Sequence, residues 1–193
     1  MSKNQTLEEM RIEFDRAGGR TLAFPMAGTI TWTAIAICGS FLPEDEASIA
    51  LFICNGLIFP LNLLIARFRH EAVLGTTNEL DRLFGRSVLM INLIWTIAIP
   101  FWMVYPSSLP LSVGIMAGLH WIIYGWIVNH WIGIFHTVTR TILILLAWFL
   151  FPDQRFLIIP IVIVIIYLIT IYVLFTRPLN IFKSGIAGAE SNL

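Results

Sequence analysis

The sequence predicts an all-α membrane protein: a bundle of six transmembrane helices, both termini cytoplasmic, with a short N-terminal amphipathic helix. Three observations carry this reading. Hydrophobic residues make up 58% and charged residues 12% of the 193-residue chain, and the mean hydropathy is +0.82. Soluble domains are about 45 to 50% apolar and about 25% charged. Six stretches, approximately 21–42, 49–68, 88–105, 111–128, 134–151 and 156–175, approach the roughly 20 apolar residues that cross about 30 Å of hydrocarbon at about 1.5 Å per residue. The net formal charge is zero, yet the charges gather in residues 1–20, between Arg67 and Arg86, in a few loops and in the tail.

Residues 1–20 read as a cytoplasmic amphipathic segment. In "MSKNQTLEEMRIEFDRAGGR", Thr6 and Glu9 stand at capping-box spacing, Leu7, Met10 and Phe14 recur at helical intervals, and Gly18-Gly19 supplies a stop. The segment is too long and acidic for a signal-peptide n-region and no small-x-small cleavage site follows, so the first span is expected to be retained. The short helix either lies against the inner membrane face or extends into solvent as a lead into that span. The inner segment "RHEAVLGTTNELDRLFGRS" has similar character, with "TNELDRLFG" starting at a Thr or Asn cap and ending at Gly85. It offers a second such helix beside the first.

Residues 21–175 form the six-helix domain and 176–193 a cytoplasmic tail. In the second span, "CNGLIFPLNLL" places Pro60 four residues after Gly56, whose carbonyl loses its helical donor. The result is either a broken helix lining a cavity or an ordinary proline kink. Pro100 interrupts the third span. In the fourth, Gly114, Gly118, Trp121 and Gly125 form one stripe, with "GIMAG" as a small-xxx-small contact, and this face is expected to be buried. The outer turns each place proline after an aromatic or leucine: Leu42-Pro43, Tyr105-Pro106 and Phe151-Pro152.

Lys and Arg flanking membrane helices stay on the cytoplasmic side. With the N-terminus inside, eleven of the twelve basic residues fall on inner segments, Arg140 among them, and only Arg155 lies outside. The first outer loop, "PEDEAS", holds three acids and no base. The expected location is therefore the cell membrane, multi-pass.

Ionisable groups inside the hydrocarbon are costly and mark candidate sites. No Asp, Glu or Lys falls in the centre of a span, which argues against a carboxylate-relay pump; His120 is the one ionisable residue placed there. Asn55, Asn62 and Asn92 each need a partner, and interhelical hydrogen bonds in membranes contribute about 0.6 kcal/mol on average. His120 and Tyr124 share a stripe beside the glycines, with Trp32 and Trp95 at comparable depth. Asn55, Asn62, Trp95, His120 and Tyr124 are thus the candidate ligand-binding residues, with interhelical and aromatic packing as the alternative. On a single helix His120, His130 and His136 would face three directions, so no metal site is expected. Arg140 is expected to snorkel to the inner headgroups, forming with His136, Thr137 and Thr141 a shallow polar group for a headgroup or anion.

Cys38 and Cys54 lie in apolar runs and make no metal or disulfide motif. No phosphate loop, zinc helix, nucleophile elbow or convincing internal repeat occurs. No catalytic residue, cofactor or nucleic-acid partner is expected. With "LEEMRIEFDRAGGR" running into the first span, the polar "NGLIFPLNLL" and the "HWIIYGW" helix, the chain resembles the small bacterial integral membrane families of unknown function, a resemblance that implies no activity. Three functions remain in view. The first is binding or passing a neutral or lipid-like ligand in an intramembrane pocket, with membrane lipids as partners. The second is a structural or regulatory subunit, joined to a second copy or another membrane protein through the inner helices and the Gly114/Gly118 face. The third is an intramembrane enzyme using His120 or the His130/His136 pair.

Overall fold

A computed structural model of the chain describes residues 5–18, 21–71 and 78–178; Gly19, Thr76-Thr77 and the tail from 179 lie outside the described residues. Among the described residues the fold is all-α. Helix α1 (Leu7–Gly18) precedes six helices long and apolar enough to cross a membrane: α2 (Ala23–Phe41), α3 and α4 (Glu44–Gly56, Ile58–Arg69), α5 and α6 (Glu79–Leu93, Trp95–Val104), α7 and α8 (Ser108–Met116, His120–Ile127), α9 (Ile132–Leu150), and α10 (Arg155–Thr176) after a short turn at Pro152–Gln154. The protein is thus a multi-pass membrane protein by the length and composition of its helices.

The ends of these helices follow local chemistry. The capping box at α1 is closed on both sides: Thr6 N–H donates to Glu9 Oε2 at 2.8 Å and Glu9 N–H to Thr6 Oγ1 at 3.3 Å. Pro43 caps α3, and the turns at Pro106 and Pro152 reverse the chain as expected. The second span ends at His70 (φ 55°) and the fourth at Asn129 (φ 51°). Each is closed by an amide reaching back five residues, Glu71 N to Ala66 O and His130 N to Gly125 O, both 2.9 Å. The helix placed over "TNELDRLFG" does not stop at Gly85. Asn78 caps it by accepting from Leu80 N–H at 2.9 Å, and α5 runs through Gly85 into the third span. An internal glycine costs only about 1 kcal/mol against alanine, too little to end a helix entering an apolar run.

Lipid offers no hydrophobic drive for helix association, so the bundle depends on close approach and polar contacts. A side chain at Gly39 would collide with the Phe156 backbone where α2 crosses α10, and one at Gly133 with Trp121 O and the Gly125 backbone where α8 meets α9. The Gly114, Gly118, Trp121, Gly125 stripe is buried inside the bundle, so the Gly114/Gly118 face is turned inward.

Around the bundle the packing order is second span, first, sixth, fifth, fourth, third. No comparable backbone approach joins the third span back to the second among the described residues. These two meet through side chains near the hairpin turns: Trp102 Nε1 donates to Ser48 Oγ at 2.9 Å, and Phe52 stacks on Trp102 with centroids 5.7 Å apart. The bundle is a horseshoe with its gap on that side.

At the face carrying both ends of the bundle, α1 docks across the helix ends instead of extending freely. Phe14 is buried against Phe84 and Tyr124. Arg11 Nη2 donates to Trp126 O at 3.0 Å, and Asn78 Nδ2 to Met10 O at 2.7 Å, so α1 does lie beside the start of α5. Asp15 accepts from both terminal nitrogens of Arg177, at 3.0 and 2.5 Å, and this pair is fully buried. Beside it Glu71 accepts from the Ala23 amide at 3.0 Å, supplying the first span with a cap from a distant segment. At the opposite face Arg155 donates to the Tyr105 hydroxyl, Ser107 Oγ and Trp148 O, with its guanidinium 3.7 Å over the Trp148 ring. The hydrogen bonds from Ser107 and Arg155 lower the Tyr105 pKa from its ordinary value.

Candidate functional site

The gap in the horseshoe contains a cavity of about 650 Å³. Asn55, Gly56, Ile58 and Phe59 of the second span form one side, and Val88, Leu89, Asn92 and Trp95 of the third the other. The back wall comes from Met116, Ala117 and His120, closed by Phe24 of the first span and Tyr167 of the sixth. Gly56, Phe59, Gly85, Leu89 and Asn92 are exposed on the outer surface, so the mouth opens sideways toward lipid.

The cleft lies where three helices lose their regular hydrogen bonding. The second span breaks at Leu57, between Gly56 and the Pro60 turn; the third at Ile94; the fourth over Ala117–Leu119. Residues flanking each break line the cavity: Asn55 and Ile58, Asn92 and Trp95, Met116 and His120. Interrupted backbone at membrane depth is tolerated where it is buried in protein or lines a cavity.

His120 opens α8 and is 3% exposed. Phe24 and Phe84 meet its ring edge-on, with centroids 5.0 and 5.8 Å away. Its Nε2 has no hydrogen-bond partner, and neither has the buried Nδ2 of Asn55 across the cleft. Buried polar groups are almost always paired, so two unpaired nitrogens in the lining of one cavity mark a place where a ligand or water is expected. All other lining residues except Asn92 and Tyr167 are apolar, and none is acidic or basic.

Behind this wall lies a second polar group. Arg140 is the ninth residue of α9 and is 0% exposed. The expected snorkelling does not occur: its Nε donates inward to Gly114 O at 2.6 Å. The break in the fourth span makes that acceptor available, because Gly118 N–H bonds to Ile115 O instead of Gly114 O. Thr137 Oγ1 donates to Gly118 O at 2.9 Å, engaging a second carbonyl of the break. A side chain at Gly118 would press on Arg140 Cδ at 2.8 Å. The guanidinium lies between the rings of Trp32 and Tyr167, 5.5 and 5.1 Å from their centroids.

His136 completes this group. Thr170 spends its single hydroxyl proton on Ile166 O, so it accepts from His136 Nδ1 at 2.8 Å. That assigns the proton to Nδ1 and leaves Nε2 as the acceptor facing Arg140 Nη1 at 3.4 Å. The imidazole stacks on Trp121 at 4.5 Å. Arg140 Nη2 and the indole nitrogens of Trp32 and Trp121 have no partner, and Arg140 has no carboxylate within ion-pair distance among the described residues.

The residues singled out from the sequence therefore separate. Asn55, Trp95 and His120 share the cleft. Asn62 is buried but does not line it. Tyr124 turns toward the terminal face, against Phe14, Phe84 and Trp121, and is likewise outside the lining. His136, Thr137 and Arg140 come together in the bundle interior and not at the inner surface, whereas Thr141 is half-buried. His130 sits apart in the turn after α8, accepting from Ile132 N–H through Nδ1. No group of three or more His, Cys, Asp or Glu side chains able to hold a metal ion gathers among the described residues. Sequence reasoning missed Phe24, Tyr167 and Thr170; the last two were visible as the polar pair, three apart, in the otherwise aliphatic centre of the last span.

Comparison with curated proteins gives no match, and comparison with solved structures gives none. The model of one family, described as "Family of unknown function (DUF7010)", matches residues 7–177, from the first helical residue of α1 to the Arg177 that pairs with it, and the chain belongs to that family.

Proposed function

We propose that the protein binds, or passes across the membrane, a lipid-like small ligand in the lateral cleft between its second and third spans. The single observation that carries this reading is a cavity of about 650 Å³ at three helix breaks, mainly apolar in its lining, with unpaired nitrogens of His120 and Asn55 on its walls. Ligand sites are commonly about 300–1,000 Å³, mainly apolar, with a few placed polar groups. Asn55, Trp95 and His120 are the contacts, while Asn62 and Tyr124 hold the surrounding bundle. We place the protein in the cell membrane with both termini cytoplasmic. Arg140 drops out of the basic count, being internal, yet the asymmetry stands: among the described residues Arg155 is the one basic side chain at the hairpin face.

The test is titration of the detergent-purified protein with oleyl alcohol and with oleate, read by native mass spectrometry, against Ala117→Phe, which fills the back wall. Both probes should bind the parent chain, and the variant should weaken both by at least about tenfold, the equivalent of about 1.4 kcal/mol. Equal retention by parent and variant would sink the reading.

A further inference from the structure

The interior of the bundle carries a positive charge with no carboxylate within ion-pair distance among the described residues. Arginine stays protonated under all conditions relevant to proteins. The acidic residues associated with the spans sit in first turns, Glu44, Asp45, Glu46, Glu79, Asp81 and Asp153, or cap an end, as Glu71 does. Arg140 is midway along α9, and its contacts are one carbonyl, one imidazole and two aromatic faces. These soften the cost of burying the guanidinium without cancelling its charge.

That charge stands one side-chain layer behind the cleft. Tyr167, whose ring is 5.1 Å from the guanidinium carbon, forms part of the cavity wall together with His120. The unpaired wall nitrogens include the Asn55 amide, a donor, and His120 Nε2, a donor in one of its tautomers. The wall has no acidic residue to repel an anion. From the back wall outward the surfaces are mainly apolar, interrupted by Asn55 and Asn92, and open sideways.

We infer that the cleft selects an amphipathic anion, with its acidic head at His120 and Asn55 facing the Arg140 guanidinium and its alkyl chain between the second and third spans. This rests on the cleft being a binding site, and adds the charge of what it binds. A unit charge one side-chain layer behind the wall favours an anionic head over a neutral one by at least about tenfold.

The experiment compares oleate with oleyl alcohol, equal in chain and different in charge, at a pH where oleate is ionised. Oleate should bind the parent chain at least about tenfold more tightly. Arg140→Gln should bring the two within about twofold while oleyl alcohol binding persists, which also reports an intact cleft. Should that variant not fold, His120→Leu provides a second reading: it weakens both probes, and the loss for oleate exceeds the loss for oleyl alcohol by about tenfold, whereas equal losses count against the inference. Dioleoyl phosphatidate tested alongside tells a membrane headgroup from a free carboxylate, since preference for either anion over the alcohol supports the inference. Binding of oleate, phosphatidate and oleyl alcohol within about twofold of one another by the parent chain overturns it. Failure of Ala117→Phe to weaken any probe removes the cleft itself, a separate result.

Discussion

The buried pair between Asp15 and Arg177 ties the first helix of the chain to the end of the last span, 162 residues later, and its removal has a calculable consequence. The carboxylate faces both terminal guanidinium nitrogens, and the two side chains are 1% and 2% exposed. Unit charges about 4 Å apart at an effective dielectric near 20 attract by about 4 kcal/mol. Asp15→Ala removes that attraction and leaves Arg177 buried beside a cavity, a change that costs about 3–5 kcal/mol. The bundle has a way to limit the loss, because α1 can lift off and return Arg177 to water. Phe14, whose burial contributes about 1.5–3 kcal/mol, and the Arg11 and Asn78 hydrogen bonds are among the contacts that still hold α1. The undocked population should therefore rise by about two to three orders of magnitude. Trypsin cleavage after Arg11 and Arg16, under conditions where cleavage tracks the open population, measures it. Adding Arg177→Ala should restore part of the protection by removing the stranded charge. Cleavage of Asp15→Ala within about twofold of the parent, or strict additivity in the double variant, would refute the latch.

Two further outcomes are expected. His130 lies in the turn after α8, outside the spans, and burial together with the nearby Arg177 guanidinium lowers its pKa below the ordinary value. A lowered folded-state pKa opposes protonation, so His130 should be neutral at pH 7, with an NMR titration midpoint under about 6.5 that moves up in Arg177→Gln; a midpoint at or above the ordinary value contradicts the packing of this turn. For topology, single cysteines placed at Asp153 and at Arg16 in a chain lacking Cys38 and Cys54 should respond oppositely to an impermeant thiol reagent added to intact cells. Labelling at 153 and protection at 16 is the expected pattern, and the reverse places the termini outside.

Much of the architecture could be read directly from the chain. A run of apolar residues long enough to span hydrocarbon must be helical, because lipid satisfies no backbone group. Thr6 and Glu9 cap their own helix, and proline closes each hairpin turn; these are contacts within a few residues, and local order determines them. The burial of the Gly114 to Gly125 stripe was equally legible, since close helix approach in lipid requires small residues. The end expected at Gly85 was not found, because the energy of one glycine is small beside that of continuing into an apolar span.

The sequence by itself determined the number of candidate spans, the local caps and turns, and that His120, Asn55 and Trp95 fall within those spans. Only the tertiary structure decided that these three face one cleft while Asn62 and Tyr124 do not, because which way a side chain faces depends on where each helix breaks and what it crosses. Arg140 shows the difference most plainly. Its position in the fifth span is compatible with an interfacial anchor or with an internal charge, and the choice was made by another helix. A break at Gly118 frees the Gly114 carbonyl and leaves room for a guanidinium, and a buried charge can stay only where such partners have been assembled from distant parts of the chain.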